Sequence, residues 1–533
     1  MYFPIGWPQT LKSSEDTISI VCNTDRSLFG LLTINGLSIW FCRPSVRIVE
    51  HKRDNNSLVT FGQNVSMVWR PDSTIIVVQT NQNYLLFYQL IIQNNSDSLL
   101  QQKDVDSDSF VFNSNNNWYY VVIIEPFIYL FIYFFLIFYN LIFSLMAAEE
   151  EIVIGTKSGE ICGVNWDGTL DQSFVLKLTS QTFSINDDIN VIDIKYSSMI
   201  GGFGLVFSCG RAAFMPIHSH LSQPSTPEAT SSGPQFNSRL QFVAEIDNAI
   251  CCAINHKYQM IAFGLRNTEG VLCCLDDTEN AIIITHRLIL SPDTFPDASS
   301  TAGAMTCLQW TQDSTVVATA WEKGGFALWS VFGALIACSL SWDFGLIGAI
   351  KSSPFIVNSM AFGKEGYHLW MSTKSAKNQQ NNQNGNHCSL DGVSKLMMAK
   401  SVIASNPSSS FDGELVLLTS EDRLFIGIGA VNVGQQHYSS LCSTNYLNNY
   451  CNGSIEDDIM PSTNVSSGEM HWEQQPIAVG NLQWIVINMP QSYLSTNWPI
   501  RYAAIDHMSQ HIAIAGRTGL AHYSLAHRKW KLF

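Results

Sequence analysis

The residues with the best claim to chemistry are thirteen cysteines, thirteen histidines and the acidic run at 456–458. Cys251-Cys252 and Cys273-Cys274 are adjacent pairs, yet no C-x-x-C occurs and no Cys/His cluster has zinc spacing. That usage predicts buried free thiols in a reducing compartment. Glu456-Asp457-Asp458 could meet a cation, but it lacks the spacing of a calcium loop and reads as a solvated acidic turn. His471 and His507 stand alone and read as structural histidines. The stretch "GGFGLVFSCG" (201–210) is glycine-rich, but its pattern is β rather than a loop before a phosphate-binding helix. There is no G-x-x-x-x-G-K-[ST] loop, no H-E-x-x-H, no G-x-S-x-G elbow and no G-x-G-x-x-G after a strand. The expectation is a non-enzymatic chain with no catalytic residue, no cofactor and no metal.

The elements behind these residues are legible as a repeat. "WRPDSTIIVVQT" (69–80) returns without a gap as "WTQDSTVVATAW" (310–321). Trp69 aligns with Trp310, Asp72 with Asp313, Ser73 with Ser314 and Thr74 with Thr315, and Phe87-Tyr88 closes the match on Leu328-Trp329. Each copy predicts strand, tight turn, strand, turn, strand. Asp-Ser makes the first turn because a short polar side chain can bond its own backbone there. Asn81-Gln82-Asn83 and Lys323-Gly324-Gly325 supply the second turn. β-Branched residues fill the strand between. Weaker copies are "AINHKYQMIAFG" (253–264), "AIDHMSQHIAIAG" (504–516) and "MAFGKEGYHLW" (360–370), where Phe362 takes the Trp place and Glu365 the Asp place. "IKYSSMIGGFGLVFSCG" (194–210) and "EEIVIGTKSGEICGVNW" (150–166) match the second half of the unit.

Short strands recurring every 40 to 60 residues or so predict an all-β, WD40-type propeller, because one blade cannot bury both faces of its sheet alone. Roughly 400 residues outside insertions would make about nine units, more than the about seven of one ring, so either several blades are long or the chain completes one propeller and enters a second. The ending "AHYSLAHRKWKLF" resembles the last strand of a unit, and the chain is expected to be truncated. The first blades are placed in 1–117 and the remaining ones in 149–533. A net charge of -15 and pI near 5.2 argue against nucleic acid as partner. The opening residues lack a secretory signal, so sequons such as Asn64-Val65-Ser66 are expected to be chance matches.

Flexible rim loops are expected at 218–238 (Ser/Pro-rich), 374–392 (Asn/Gln-rich) and 435–476. Phosphorylation at Ser225 or Thr226 is one use for the first of these, a tolerated insertion the plainer one. Segment 118–148 differs in kind. From Phe127 to Ala148 it carries no charge, long enough for a bilayer span through 127–146. Against a span stand its acidic flanks, with Glu149-Glu150-Glu151 on one side, and a place inside the repeat array that would put blades on both sides of a membrane. The other readings are an apolar insertion, a buried misfit, or non-native sequence from a translated AT-rich stretch.

Several words exceed a generic repeat: "MYFPIGWP", "LSIWFCRPSV" (37–46), "WRPDST", "GGFALWSVFGALIACSL" (324–340), "EGYHLW" (365–370), "EDRLFI" (421–426) and "STNWPIRYAAIDHMSQHIAIAGRTGLAHYSLAHRKWKLF" (495–533). In order and content they resemble the ribosome control protein one family, the large subunit of the guanine-nucleotide exchange factor for the Golgi Rab GTPase six. The resemblance implies a cytosolic protein recruited peripherally to Golgi membranes. It would pair with an arrestin-like smaller subunit and promote GDP release from the Rab in endosome-to-Golgi retrograde traffic. The family's helical C-terminal half has no counterpart in this sequence. No site residue carries over, and Arg43-Pro44 and Trp498-Pro499 are expected to be packing and turn devices. The alternatives are a generic WD40 adaptor and a single-pass membrane protein with a cytosolic propeller.

Overall fold

The computed structural model describes residues 2–11, 17–94, 110–113, 119–131, 142–156, 159–177, 190–216, 240–276, 281–295, 298–340, 355–375, 392–402, 415–429, 477–479, 482–506 and 510–533. The chain divides into two compact units, one of Met1 and residues 3–397, the other of Tyr2 and residues 398–533.

In the first unit seven antiparallel sheets follow one another along the chain. Their inner strands are Thr17–Cys22, Asn64–Trp69, Ile142–Ala147, Val191–Ser197, Ala249–Asn255, Met305–Trp310 and Phe355–Phe362, and these define blades 1 to 7. Each inner strand packs on the next, and the seventh packs on the first, so the ring closes. Blade 7 supplies three strands in sequence, and the N-terminal strand Tyr2–Leu11 pairs with Gly392–Ser401 as its fourth. The second strands, such as Ile75–Thr80 and Val316–Trp321, are buried at all six positions. Such a strand is covered on both faces, which explains why these runs read as continuous β-branched stretches without alternation.

The core lies between blades. Leu32, Ile39 and Val49 of blade 1 pack with Met67, Trp69 and Leu86 of blade 2. Cys252, Phe263 and Val271 of blade 5 pack with Val206 and Phe214 of blade 4. Phe29 and Leu31 of blade 1 meet Ala361, Trp370 and Val393 of blade 7, with the Phe29 and Trp370 rings stacked at 4.5 Å between centroids. Two polar links reinforce that closure. Ser372 Oγ donates to the Thr17 carbonyl at 2.6 Å, and Ser359 Oγ accepts the Ile20 N–H at 3.0 Å.

The second unit starts within the strand Gly392–Ser401, where Lys400 pairs with Thr419. It holds the strands Leu415–Thr419, Arg423–Gly429, Ile477–Val479 and Leu482–Asn488, then the helix Gln491–Asn497, then a four-stranded sheet from Tyr502–Ile505 to Lys529–Leu532. Leu424, Ile487, Tyr493, Ile512 and Tyr523 share one core there. Seven blades and the start of further ones agree with an all-β propeller that runs on past one ring.

Two expectations need correction. The single-pass reading of 127–146 fails at its described ends, which are strand. Tyr119–Phe131 pairs with Tyr84–Asn94 at the outside of blade 2, and Ile142–Ala147 is the inner strand of blade 3. Residues 132–141 lie outside the described residues, and no described helix is long and apolar enough to cross a membrane. The aromatic and β-branched content that raises hydropathy is also what a paired strand favours. Second, 194–210 is the first hairpin of blade 4 rather than the second half of a unit, because Val191–Ser197 is an inner strand. Of the expected loops, 218–238 with Ser225 and Thr226, 376–391 and 435–476 lie outside the described residues, while residues 374–375 and Gly392 belong to strands.

Candidate functional site

All seven inner strands carry the same irregularity. The register with the second strand shifts between Thr17 and Ser19, Asn64 and Ser66, Ile142 and Ser144, Val191 and Asp193, Ala249 and Cys251, Met305 and Cys307, and Val357 and Ser359. A bulge leaves one residue out of the ladder and frees a backbone group beside it. The residue just past each shift is Ser, Ser, Ser, Asp, Cys, Cys or Ser. These small polar groups tie the blades together. Ser144 Oγ donates to the Val191 carbonyl at 3.4 Å, and the Cys251 thiol to the Met305 carbonyl at 3.1 Å. Asp193 Oδ2 accepts the Cys252 N–H at 2.8 Å, and Gln79 Nε2 reaches the Ile142 carbonyl at 3.0 Å.

Inside this ring lies a cavity of about 420 Å³, lined from blades 1, 4, 5, 6 and 7. Arg26, Asp193, Lys195, Cys251, Cys307 and Ser359 are among its walls. Lys195 Nζ donates to Asp193 Oδ1 at 2.7 Å. Burial opposes the Lys195 charge, but the Asp193 carboxylate outweighs it and holds the ammonium above the usual lysine range. Burial pushes the Cys251 and Cys252 thiols well up, and Cys307 to about 11. These three thiols in the channel wall are therefore neutral, and inert as nucleophiles at neutral pH.

The turns joining first to second strands carry the repeat recognised in sequence. Trp69 and Trp310 each end an inner strand and donate their indole N–H to the inner strand of the preceding blade, at Val21 (3.0 Å) and Ala253 (3.2 Å). Asp72 Oδ1 accepts from Thr74 N and Oγ1 at 3.0 and 2.7 Å, and Asp313 Oδ1 from Thr315 N and Oγ1 at 3.2 and 2.9 Å. Ser73 and Ser314 both take the left-handed conformation, with φ of 66° and 62°. Burial raises the Asp72 carboxyl, yet the two Thr74 bonds and Arg70 outweigh it and keep it below the usual carboxylate range. On this face the turns of blades 4, 5 and 6 border a groove of about 600 Å³ between Met199, His256, Lys257, Tyr258 and Gln312. Met199 is 73% exposed there.

The expected chemistry candidates are not gathered into a site. Glu456-Asp457-Asp458, His471 and His507 lie outside the described residues. "GGFGLVFSCG" is the strand Gly202–Phe207 and the turn after it. Among the described residues no His/Cys/Asp/Glu group is placed to hold a metal, and no disulfide links the ten described cysteines. Cys251 and Cys252 belong to an inner strand, and Cys273 and Cys274 to the third strand of the same blade. Arg43-Pro44 lies in the bend before the outer strand of blade 1 and Trp498-Pro499 just after the helix Gln491–Asn497, both as cis peptides. Sequence reasoning missed the Asp193–Lys195 pair. The available signal was the recurring Ser, Asp or Cys near the start of each inner strand, legible only once those strands are aligned.

The family model described as the RIC1 second beta propeller domain matches residues 456–533. The human guanine nucleotide exchange factor subunit RIC1 is 30% identical over 554 residues, covering 100% of this chain and 37% of the relative. The Caenorhabditis elegans guanine nucleotide exchange factor subunit R06F6.8 is 23% identical over 571 residues, covering 100% of this chain and 33% of the relative. The chain thus spans about a third of the length of these relatives. Among solved structures, the RRP9 WD40 repeats superpose with a TM-score of 0.44 at 10% identity, over 73% of this chain and 97% of that one.

Proposed function

We propose that this chain, a homologue of the RIC1 guanine nucleotide exchange factor subunits, is the propeller scaffold of a complex that promotes GDP release from a Golgi Rab GTPase, Rab six. The reading includes an arrestin-like smaller subunit as partner, peripheral recruitment from cytosol to Golgi membrane, and a role in endosome-to-Golgi retrograde transport. The observation that carries it is similarity over the whole chain, from the first residues to the last, rather than in the propeller repeats alone. Exchange makes no covalent bond on the factor's side. A factor that holds the nucleotide-free GTPase better than the GDP-bound one shifts the population toward release. The closed ring and the turn-face groove beside Met199 and Tyr258 supply a rigid platform for such binding.

The test is to co-purify residues 1–533 with the arrestin-like subunit and follow fluorescent GDP release from Rab six. Faster release than from the GTPase alone supports an exchange surface in this part of the chain. A stable complex without acceleration keeps the scaffold and shows that residues 1–533 do not carry the exchange surface. Failure of the two subunits to associate overturns the reading in favour of a generic propeller adaptor.

A further inference from the structure

Of the seven turns that join inner to second strands, only those of blades 4 and 5 expose a large apolar side chain, Met199 at 73% and Tyr258 at 37%. Both border the turn-face groove of about 600 Å³, whose other walls are polar. They give that groove its apolar contact. The blade 4 turn fixes Met199 there. The Gly201 N–H donates to the Ser197 carbonyl at 2.9 Å, and Gly201 takes a φ of 69°. Ile200 packs on the core shared by blades 4 and 5, so the turn is anchored while Met199 stays in solvent. Other methionines of these blades are enclosed, with Met215, Met260 and Met305 at 1%, 7% and 0% exposure. Among the described residues Met199 is the exposed methionine. A thiol must ionise before it reacts, and burial keeps Cys251, Cys252 and Cys307 neutral. A thioether has no proton to lose, so access governs its oxidation.

We propose that Met199 is a site of reversible oxidation by hydroperoxides, and that its sulfoxide weakens recognition at the turn-face groove. A lone pair on the Met199 sulfur attacks the terminal peroxide oxygen. The S–O bond forms as the O–O bond breaks, and the departing oxygen keeps the peroxide proton and leaves as an alcohol, or as water from hydrogen peroxide. Sulfur gives up two electrons and the peroxide takes them. Two thiols of a reductase reverse the step, yielding the thioether, a disulfide and water. The product is polar where the groove had its most exposed apolar group, so a partner seated there loses that contact. The identity of that partner rests on the exchange-factor reading; the site of oxidation does not.

The test treats residues 1–533 with limiting tert-butyl hydroperoxide, then with dithiothreitol to restore oxidised thiols such as the exposed Cys209, and maps sulfoxide by peptide mass. Met199 should oxidise about tenfold or more faster than Met215, Met260 and Met305, because susceptibility follows exposure. The same samples are then titrated against nucleotide-free Rab six. Oxidation should weaken binding about tenfold, the scale of one lost apolar contact. Methionine sulfoxide reductase should restore it. Met199→Leu keeps the apolar bulk and cannot be oxidised, so it should bind like the untreated protein and hold its affinity through peroxide. Met199 oxidised no faster than the enclosed methionines overturns the site. Binding unchanged by oxidation, or weakened equally in Met199→Leu, overturns the switch and leaves the exchange-factor reading standing. No binding by the untreated protein removes the recognition itself, which overturns the switch together with that reading, while the sulfoxide map still decides the site.

Discussion

Replacing Glu151 by Gln should stabilise the seven-bladed unit at pH 8 and leave it unchanged at pH 4. Glu151 opens the strand Glu151–Thr156 of blade 3, and its Oε2 atom is buried with no hydrogen-bond partner among the described residues. Burial, and secondarily the Asp171 carboxylate, pushes its carboxyl from 4.5 up to about 7. Burial and the charges of Glu149 and Glu151 likewise raise the nearby Tyr196 phenol. A folded-state value above the unfolded one means that the folded protein holds the extra proton between pH 4.5 and about 7. The stability this carboxyl contributes is therefore complete below 4.5 and is lost as pH rises through about 7. At about 1.4 kcal/mol per pH decade the full displacement would be worth about 3 kcal/mol. The side chain is only half-buried, and solvent screening reduces that to about 1 kcal/mol. Gln keeps the shape and never ionises. Thermal unfolding of both proteins from pH 4 to pH 9 should show curves that coincide in acid and separate by about 1 °C above pH 7, the small separation following from the size of the unit. A constant offset at every pH would mean that packing rather than charge is at work. A less stable variant at pH 8 would mean that the ionised Glu151 has a favourable partner, and the reasoning would fail.

Two further outcomes follow from the packing. Trp69→Phe and Trp310→Phe each remove one indole N–H bond to the preceding blade, and each should cost about 1–2 kcal/mol in urea unfolding; costs that differ by more than twofold would show that the two turns are not equivalent. Gly516→Ala should destabilise the second unit by about 3 kcal/mol, the upper end for overpacking, because its Cβ would drive into the Asn497 carbonyl oxygen. Limited proteolysis should then cut within 398–533 while the ring stays intact, and an unchanged digest would refute the assignment.

The propeller was legible because its turns are made by local chemistry. Asp72-Ser73-Thr74 and Asp313-Ser314-Thr315 close on themselves through Asp–Thr hydrogen bonds, so the same three residues recur wherever that turn does. Ring closure was not legible, since the strand completing blade 7 comes from the other end of the unit, and a pairing between Tyr2–Leu11 and Gly392–Ser401 leaves no local trace. The aromatic run was misleading for a physical reason. Hydropathy measures how apolar a segment is, not which backbone form it takes, and a strand paired in a ladder buries its peptide groups as completely as a helix does. The Asp193–Lys195 pair stayed hidden because the amide it braces, that of Cys252, and the rest of the cavity it lines come from other blades.

The family-like words divide in a telling way once they are placed in the fold. "NWPIR" has no role in a generic repeat, yet Asn497 is 9% exposed and Ile500 1%, and the Asn497 carbonyl accepts the Arg517 N–H at 2.7 Å. Tyr493, four residues earlier, accepts the Gly516 N–H at 3.0 Å and donates to the Gly519 carbonyl at 2.7 Å. Gly516 and Gly519 both leave room for Asn497, so helix and sheet interlock through residues that must occur together. In "LWSVFGA" the first four residues are buried, Gly333 has a φ of 75°, and Phe332 at the turn is 72% exposed. "YHLW" is buried throughout, with no residue above 1% exposure. These words record interlocks within the fold. Surface and channel chemistry is carried instead by single residues such as Lys195 and Met199, which none of the words contains. A variant at the exposed Met199 therefore probes recognition on the turn face with little disturbance to that packing.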